Sequence, residues 1–121
     1  MKQLPRTSST LFSSFIGLGY HSPDVFIDRG MIFVELGQID KAMADFEQAV
    51  ALDQDYASSH YACGMVHSAK KEFHKAIESF SKAIELCEDI AYAYDGRAVA
   101  YAQIGETALA QADSDKFNEW D

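Results

Sequence analysis

The chain has 121 residues, 48% hydrophobic and 24% charged with only 2 prolines, a globular composition sized for one domain and free of low-complexity runs. Ten basic against 19 acidic side chains give a formal charge of −9, which argues against a phosphate-backbone partner and favours a cationic one. No stretch reaches the ~18 apolar residues that a membrane helix needs, so neither nucleic acid nor membrane is expected as a partner.

Residues 1–7 read as a loose tail. Lys2 and Arg6 precede T-S-S-T-L-F-S-S-F-I-G-L-G, a run too interrupted by serine and glycine to serve as the apolar centre of a signal peptide. From Ser8 or Ser9, either able to cap a helix, Leu11, Phe12, Phe15, Ile16 and Leu18 keep to one face of a 3.6-residue period, and Gly17, Gly19 and Pro23 close the segment. Pro23 and Asp24 open the next helix, Val25 to Leu36 carry its apolar period, and Gly37 stops it as a left-handed cap residue. Asp40 is expected to cap a helix running to about Leu52. Ser58 or Ser59 starts another to about Lys70, a turn at Lys71-Glu72 leads into Phe73 to Cys87, and a third pair runs from about Ile90 to Ile104 and from Thr107 to about Trp120 around Gly105-Glu106. Links of two to four residues require antiparallel neighbours.

These helices repeat. A step of 34 residues carries Gly30 to Gly64 to Ala98, Phe26 to His60 to Tyr94, and Phe33 to His67 to Tyr101. In the second helix of each pair it carries Ala42 to Ala76 to Ala110, Phe46 to Phe80 to Ser114, and Ala49 to Ala83 to Phe117. Backwards it takes Phe46, Ala49, Val50 and Leu52 to Phe12, Phe15, Ile16 and Leu18, so residues 9–18 read as a degenerate half-repeat. Residues 1–22 are then a tail and a degenerate helix packing on the first repeat, and residues 23–121 hold three repeats, 23–56, 57–90 and 91–121. The small places let paired helices approach closely while aromatics fill the space beside them, which contributes on the order of 5 kcal/mol per pair before chain entropy is subtracted. No pair stands alone, so stacking is obligatory.

The pattern F-x2-R-G-x2-F with Ala42, Phe46 and Ala49, then H-x2-C-G-x2-H with Ala76, Phe80 and Ala83, then Y-x2-R-A-x2-Y with Ala110, resembles the tetratricopeptide repeat family. The last unit departs from it with Ser114 and Phe117 where an aromatic and an alanine belong, and Asp113, Ser114, Asp115, Asn118 and Glu119 make its second helix polar, as a solvated cap would be. The resemblance implies an all-α, right-handed α-solenoid of antiparallel helix pairs whose first helices line a concave groove for an extended or helical peptide. It also implies no enzyme and no cofactor.

The side of each first helix opposite its small and aromatic places carries Asp24, Ile27, Asp28, Met31, Val34 and Glu35 in the first unit. In the second it carries Ser58, Tyr61, Met65 and Ser68, and in the third Tyr92, Asp95, Val99, Ala102 and Gln103. Met31, Tyr61, Met65, Tyr92 and Val99 form an adaptable apolar strip flanked by Asp24, Asp28, Glu35 and Asp95, chemistry that suits a peptide with hydrophobic anchors and neighbouring Lys or Arg. Repeats of this family that clamp the acidic tails of chaperones use Lys, Arg and Asn; here those places hold Asp28, Met31, Ala62, Asp95 and Gly96, which would repel a carboxylate. An alternative reading is a self-associating module, homo-oligomeric through the terminal helices with Phe117 and Trp120.

His60, Cys63 and His67, at i, i+3 and i+7, resemble part of a zinc site, but they stand at core places of the repeat and read as packing, with no metal expected. Asp113-Ser114-Asp115 lacks the glycine and terminal glutamate of a calcium loop. No Gly-x-Ser-x-Gly, Walker-type or dinucleotide glycine motif occurs. Cys63 and Cys87, too few for a disulfide framework and both on helical patterns, point to reduced thiols and a cytoplasmic location.

Overall fold

A computed structural model describes residues 22–120 together with Ser13, Ile16 and Gly17. The tail and most of the expected 9–18 helix lie outside the described residues; Ser13, Ile16 and Gly17 are themselves helical. Six helices follow: α1 (Pro23–Glu35), α2 (Ile39–Leu52), α3 (Ala57–Ala69), α4 (Phe73–Leu86), α5 (Ala91–Gln103) and α6 (Thr107–Asn118). They fall into two compact units, Met1–Gln54 with the pair α1–α2 and Asp55–Asp121 with the pairs α3–α4 and α5–α6.

Local chemistry accounts for the ends. Ser22 caps α1 by accepting from the Val25 N–H at 3.4 Å, with Pro23 in the first turn, where its missing N–H costs nothing. All three pairs then turn in the same way. Gly37, Lys71 and Gly105 adopt positive φ, at 75°, 62° and 83°, and donate their N–H groups to Val34, Ser68 and Ala102. The next residues, Gln38, Glu72 and Glu106, donate back to Phe33, His67 and Tyr101 at 2.8, 2.8 and 2.9 Å, which satisfies the carbonyls at each helix end. Those same three residues are the N-caps of the following helices, without side-chain hydrogen bonds. Asp40 is therefore a first-turn residue of α2 and not its cap. Likewise Tyr56, not Ser58 or Ser59, precedes α3, and the fully buried Ser59 hydroxyl finds no hydrogen-bond partner among the described residues.

Within the first unit Gly30 lies against the Phe46 ring, and Ala42, Phe46 and Ala49 are wholly buried. In the second unit Phe80 is gripped from two sides. A Cβ on Gly64 would stand 2.7 Å from its Cδ1, and a Cβ on Gly96 2.6 Å from its Cζ. Thus α3 and α5 both seat on one ring of α4, and Ala76, Ala83, Ala93 and Ala100 close the core around it. The third pair has Ser114 at this place, and Asp113 is the buried residue of α6.

Lys71 takes the left-handed conformation that glycine takes at the equivalent turns, which for an L-residue costs about 1–2 kcal/mol. Lys71→Gly is expected to stabilise the chain by about 0.5–1 kcal/mol, the relief of strain exceeding the added freedom of the unfolded glycine. Urea titration followed by circular dichroism checks this, and a lower midpoint would contradict it.

Candidate functional site

In the second unit, Tyr61 and Met65 of α3 and Tyr92, Asp95, Val99 and Ala102 of α5 share one face by helical spacing, and α3 touches α5. Tyr92 is 67% and Val99 51% exposed, large apolar groups left in water, and Asp95 is exposed between them. Tyr61 and Met65 are half-buried against the core around Phe80, the Tyr61 ring centroid lying 5.8 Å from that of Phe80. Burial first, then the Asp95 charge and Tyr92, push the Tyr61 hydroxyl above its ordinary range, so the phenol keeps its proton as a hydrogen-bond donor. Tyr92 leans on Phe117 of α6 with centroids 5.9 Å apart, an arrangement that steadies an otherwise exposed ring. Ser58 and Gln103 are exposed, whereas the Ser68 hydroxyl is buried rather than presented to a ligand. Ala62 is 2% exposed and Gly96 lies on the Phe80 ring, so neither belongs to an open face.

The first unit carries a face of the same chemistry. Asp24, Asp28 and Glu35 are exposed, while Ile27, Met31 and Val34 are half-buried between them. Burial and then the neighbouring Asp24 charge raise the Asp28 carboxyl above its usual range, a mutual repulsion that an incoming cation would relieve.

Two arginines were not recognised from the sequence as organising groups. Arg29 donates through Nε to Asp45 Oδ2 at 2.8 Å and through Nη2 to Oδ1, and its Nη1 reaches Ser13 at 3.1 Å. Arg97 repeats this with Asp113 at 2.7 and 2.8 Å and with Ser81 at 3.1 Å. Each guanidinium lies between two rings: Phe26 and Phe33 at 5.8 and 5.7 Å from Arg29, Tyr94 and Tyr101 at 5.6 and 5.7 Å from Arg97. The aspartate hydrogen bonds, opposed in part by burial, raise both arginines further above their ordinary range. Asp113 is thus a buried ion-pair partner, 6% exposed, and not a solvated cap residue. The signal was present as Arg and Asp 16 residues apart in the first and third repeats.

The middle repeat has Cys63 and Ser79 at the places of the arginine and aspartate, and His60 and His67 at those of the rings. The zinc-like spacing thus occupies the places that hold a ring–cation–ring stack in the other two repeats. His67 Nδ1 lies 3.1 Å from Glu72 Oε1, a contact that holds the Glu72 carboxyl below its usual range, and no cluster of three metal-binding side chains occurs among the described residues.

Two hollows mark the end of the second unit. One of about 380 Å3 lies beside the half-exposed Trp120 and is lined by side chains of both charges, including Glu88, Asp89 and Lys116. The other, about 350 Å3, opens between α5 and α6 over Ala98, Val99, Ala110 and Ser114. None of the described helices is long and apolar enough to cross a membrane.

Comparison with known proteins supplies the remaining facts. A family model described as TPR repeat matches residues 30–71, and one described as tetratricopeptide repeat matches residues 57–90. No curated protein gives a significant sequence match. Among solved structures, the MamA protein is one similar chain, with a TM-score of 0.81 and 25% identity over 92% of this chain and 61% of MamA. The second TPR of Spaghetti (RPAP3), bound to the HSP90 peptide SRMEEVD, gives 0.80 and 20% over 83% of this chain and 93% of that one. YrrB, described as a TPR protein with an unusual peptide-binding site, gives 0.79 and 22% over 92% of this chain and 57% of YrrB. The chain thus spans about three fifths of the length of MamA and YrrB.

Proposed function

We propose, from the premise that this chain belongs to the tetratricopeptide repeat family, that it is a protein–protein interaction adaptor holding a peptide with apolar anchors and adjacent Lys or Arg. The observation that carries the reading is the face of the second unit, where Tyr92 and Val99 stay exposed on either side of Asp95. An exposed ring and an exposed aliphatic group beside a carboxylate suit hydrophobic anchoring with a charge-matched flank. The half-buried Tyr61 and Met65 form a pliable floor between the exposed groups and the core. The first unit offers its own acidic and apolar face through Asp24, Ile27, Asp28, Met31 and Glu35. That the Spaghetti repeat takes a peptide supports the general mode, but SRMEEVD is itself acidic. The charge on the face of the second unit calls for the opposite sign, and a peptide of that kind would meet Asp95 with repulsion.

A peptide array in which the same apolar anchors are flanked by Lys/Arg, by neutral residues or by Asp/Glu tests the reading. The basic set is expected to bind most strongly and to weaken as salt rises. Tyr92→Ala and Asp95→Lys are each expected to weaken that binding by about tenfold, a loss of roughly 1.4 kcal/mol, with unchanged helicity. Preference for the acidic set, or binding indifferent to both substitutions, overturns it.

A further inference from the structure

The hollow between α5 and α6 has a template within the same unit, because α5 itself fills the equivalent place one pair earlier. It sits on α3 and α4 with Gly96 against the Phe80 ring, with Ala93 and Ala100 wholly buried, and with Tyr92 and Asp95 beside Tyr61. Stepping 34 residues along the chain turns that seat into the hollow: Phe80, Phe73 and Ile77 of α4 become Ser114, Thr107 and Gln111 of α6, and Tyr61 becomes Asp95. Those four large groups of the seat are thus replaced by small or polar ones, while Met65 becomes the still apolar Val99. What was a ring protruding toward a glycine is now a depression of about 350 Å3, with room for a side chain of phenylalanine size. A helix built like α5 would leave it unfilled and lose those contacts.

We propose that this hollow docks an α-helix of a partner protein which inverts the shape of α5, with a bulky apolar residue where α5 has Gly96 and Lys or Arg where it has Tyr92 and Asp95. The occupant is a helix because the template is one. It carries small residues three before and four after the bulky one, matching Ala93 and Ala100, since those places meet the seat most closely. It is basic because Asp95 is the ionisable side chain lining the hollow, and residues one and four before the bulky group come nearest to it, as Asp95 and Tyr92 of α5 come to Tyr61. The surface lies at the α5–α6 edge and shares Asp95 and Val99 with the face proposed above, but it alone requires Ser114 and Gln111, and substitutions at those two test it separately.

The test uses two fluorescein-labelled helical peptides of this pattern, identical except for Phe or Gly at the central place, and reads anisotropy on the whole chain. The wild type is expected to prefer the Phe peptide by about tenfold or more. Ser114→Phe restores the ring and is expected to reverse the order. Gln111→Lys, at an exposed position, keeps the test decisive where Ser114→Phe does not fold; it is expected to weaken the Phe peptide by about tenfold through charge repulsion. Equal or absent binding of the two peptides, or an unchanged order in a folded Ser114→Phe, overturns the proposal. So does a wild-type dimer in sedimentation that Ser114→Phe converts to monomer, because the occupant is then a second copy of the chain.

Discussion

Gly64→Leu is expected to destabilise the second unit by about 3 kcal/mol or more, the largest effect of any single substitution considered for it. A Cβ at Gly64 would already lie 2.7 Å from both Cδ1 and Cε1 of Phe80, closer than carbon atoms tolerate. In an ordinary helix pair the ring would tilt away. Here it has nowhere to go, because Gly96 holds the opposite edge, where an added Cβ would stand 2.6 Å from Cζ. Leucine must therefore push α3 off α4 or push the ring into α5, and either opens the core lined by Ala76, Ala83, Ala93 and Ala100. For a unit of this size that corresponds to a fall in melting temperature of at least ~12 °C. Thermal unfolding followed at 222 nm provides the measurement. A melting temperature equal to that of wild type would mean that the two helices do not meet at this ring.

The second large effect concerns the third pair, which lacks the aromatic that the other two place between their helices. Asp113→Ala is expected to cost about 2–3 kcal/mol. Removing one partner of a buried pair typically costs about 3–5 kcal/mol, and the Arg97 side chain, 19% exposed, recovers part of this from water. Arg97 also holds Ser81 of α4, so losing its anchor loosens α6 from α5 and α5 from α4 together. The double change Arg97→Met with Asp113→Leu is expected to regain most of the loss, since an apolar pair of similar volume needs no compensating charge. A double-mutant cycle in urea gives the coupling directly, and additive losses would show that the pair does not act as a unit.

Much of this fold was legible because its signals are local and periodic. Gly30 and Gly64 face phenylalanines 16 residues on, and Gly37 and Gly105 stop helices where a left-handed residue is required. Lys71 was not legible as such a stop, because nothing in a lysine announces a positive φ; only its register with Gly37 and Gly105 does so. The caps were misread at Asp40 and at Ser58 or Ser59 because side-chain capping is one of several ways to begin a helix: α2 begins at Gln38, which also completes the preceding turn, and α3 at Tyr56, neither with a side-chain cap hydrogen bond. Asp113 was misread for a different reason. A charge on a terminal helix resembles a solvated surface until the helix carrying its partner is placed beside it. The exposed candidate residues Tyr92, Asp95 and Val99 follow from spacing alone, whereas the partial burial of Tyr61 and Met65 depends on how closely α5 is drawn in by Gly96, a glycine outside the repeating pattern.

The doubly held ring also bears on how the second unit assembles. Phe80 lies midway along the chain between the two glycines that embrace it, so both closures span equally short loops and neither must await a distant strand of the polypeptide. Collapse can start at this central point and spread toward both termini, with α4 as the common nucleus onto which its neighbours condense.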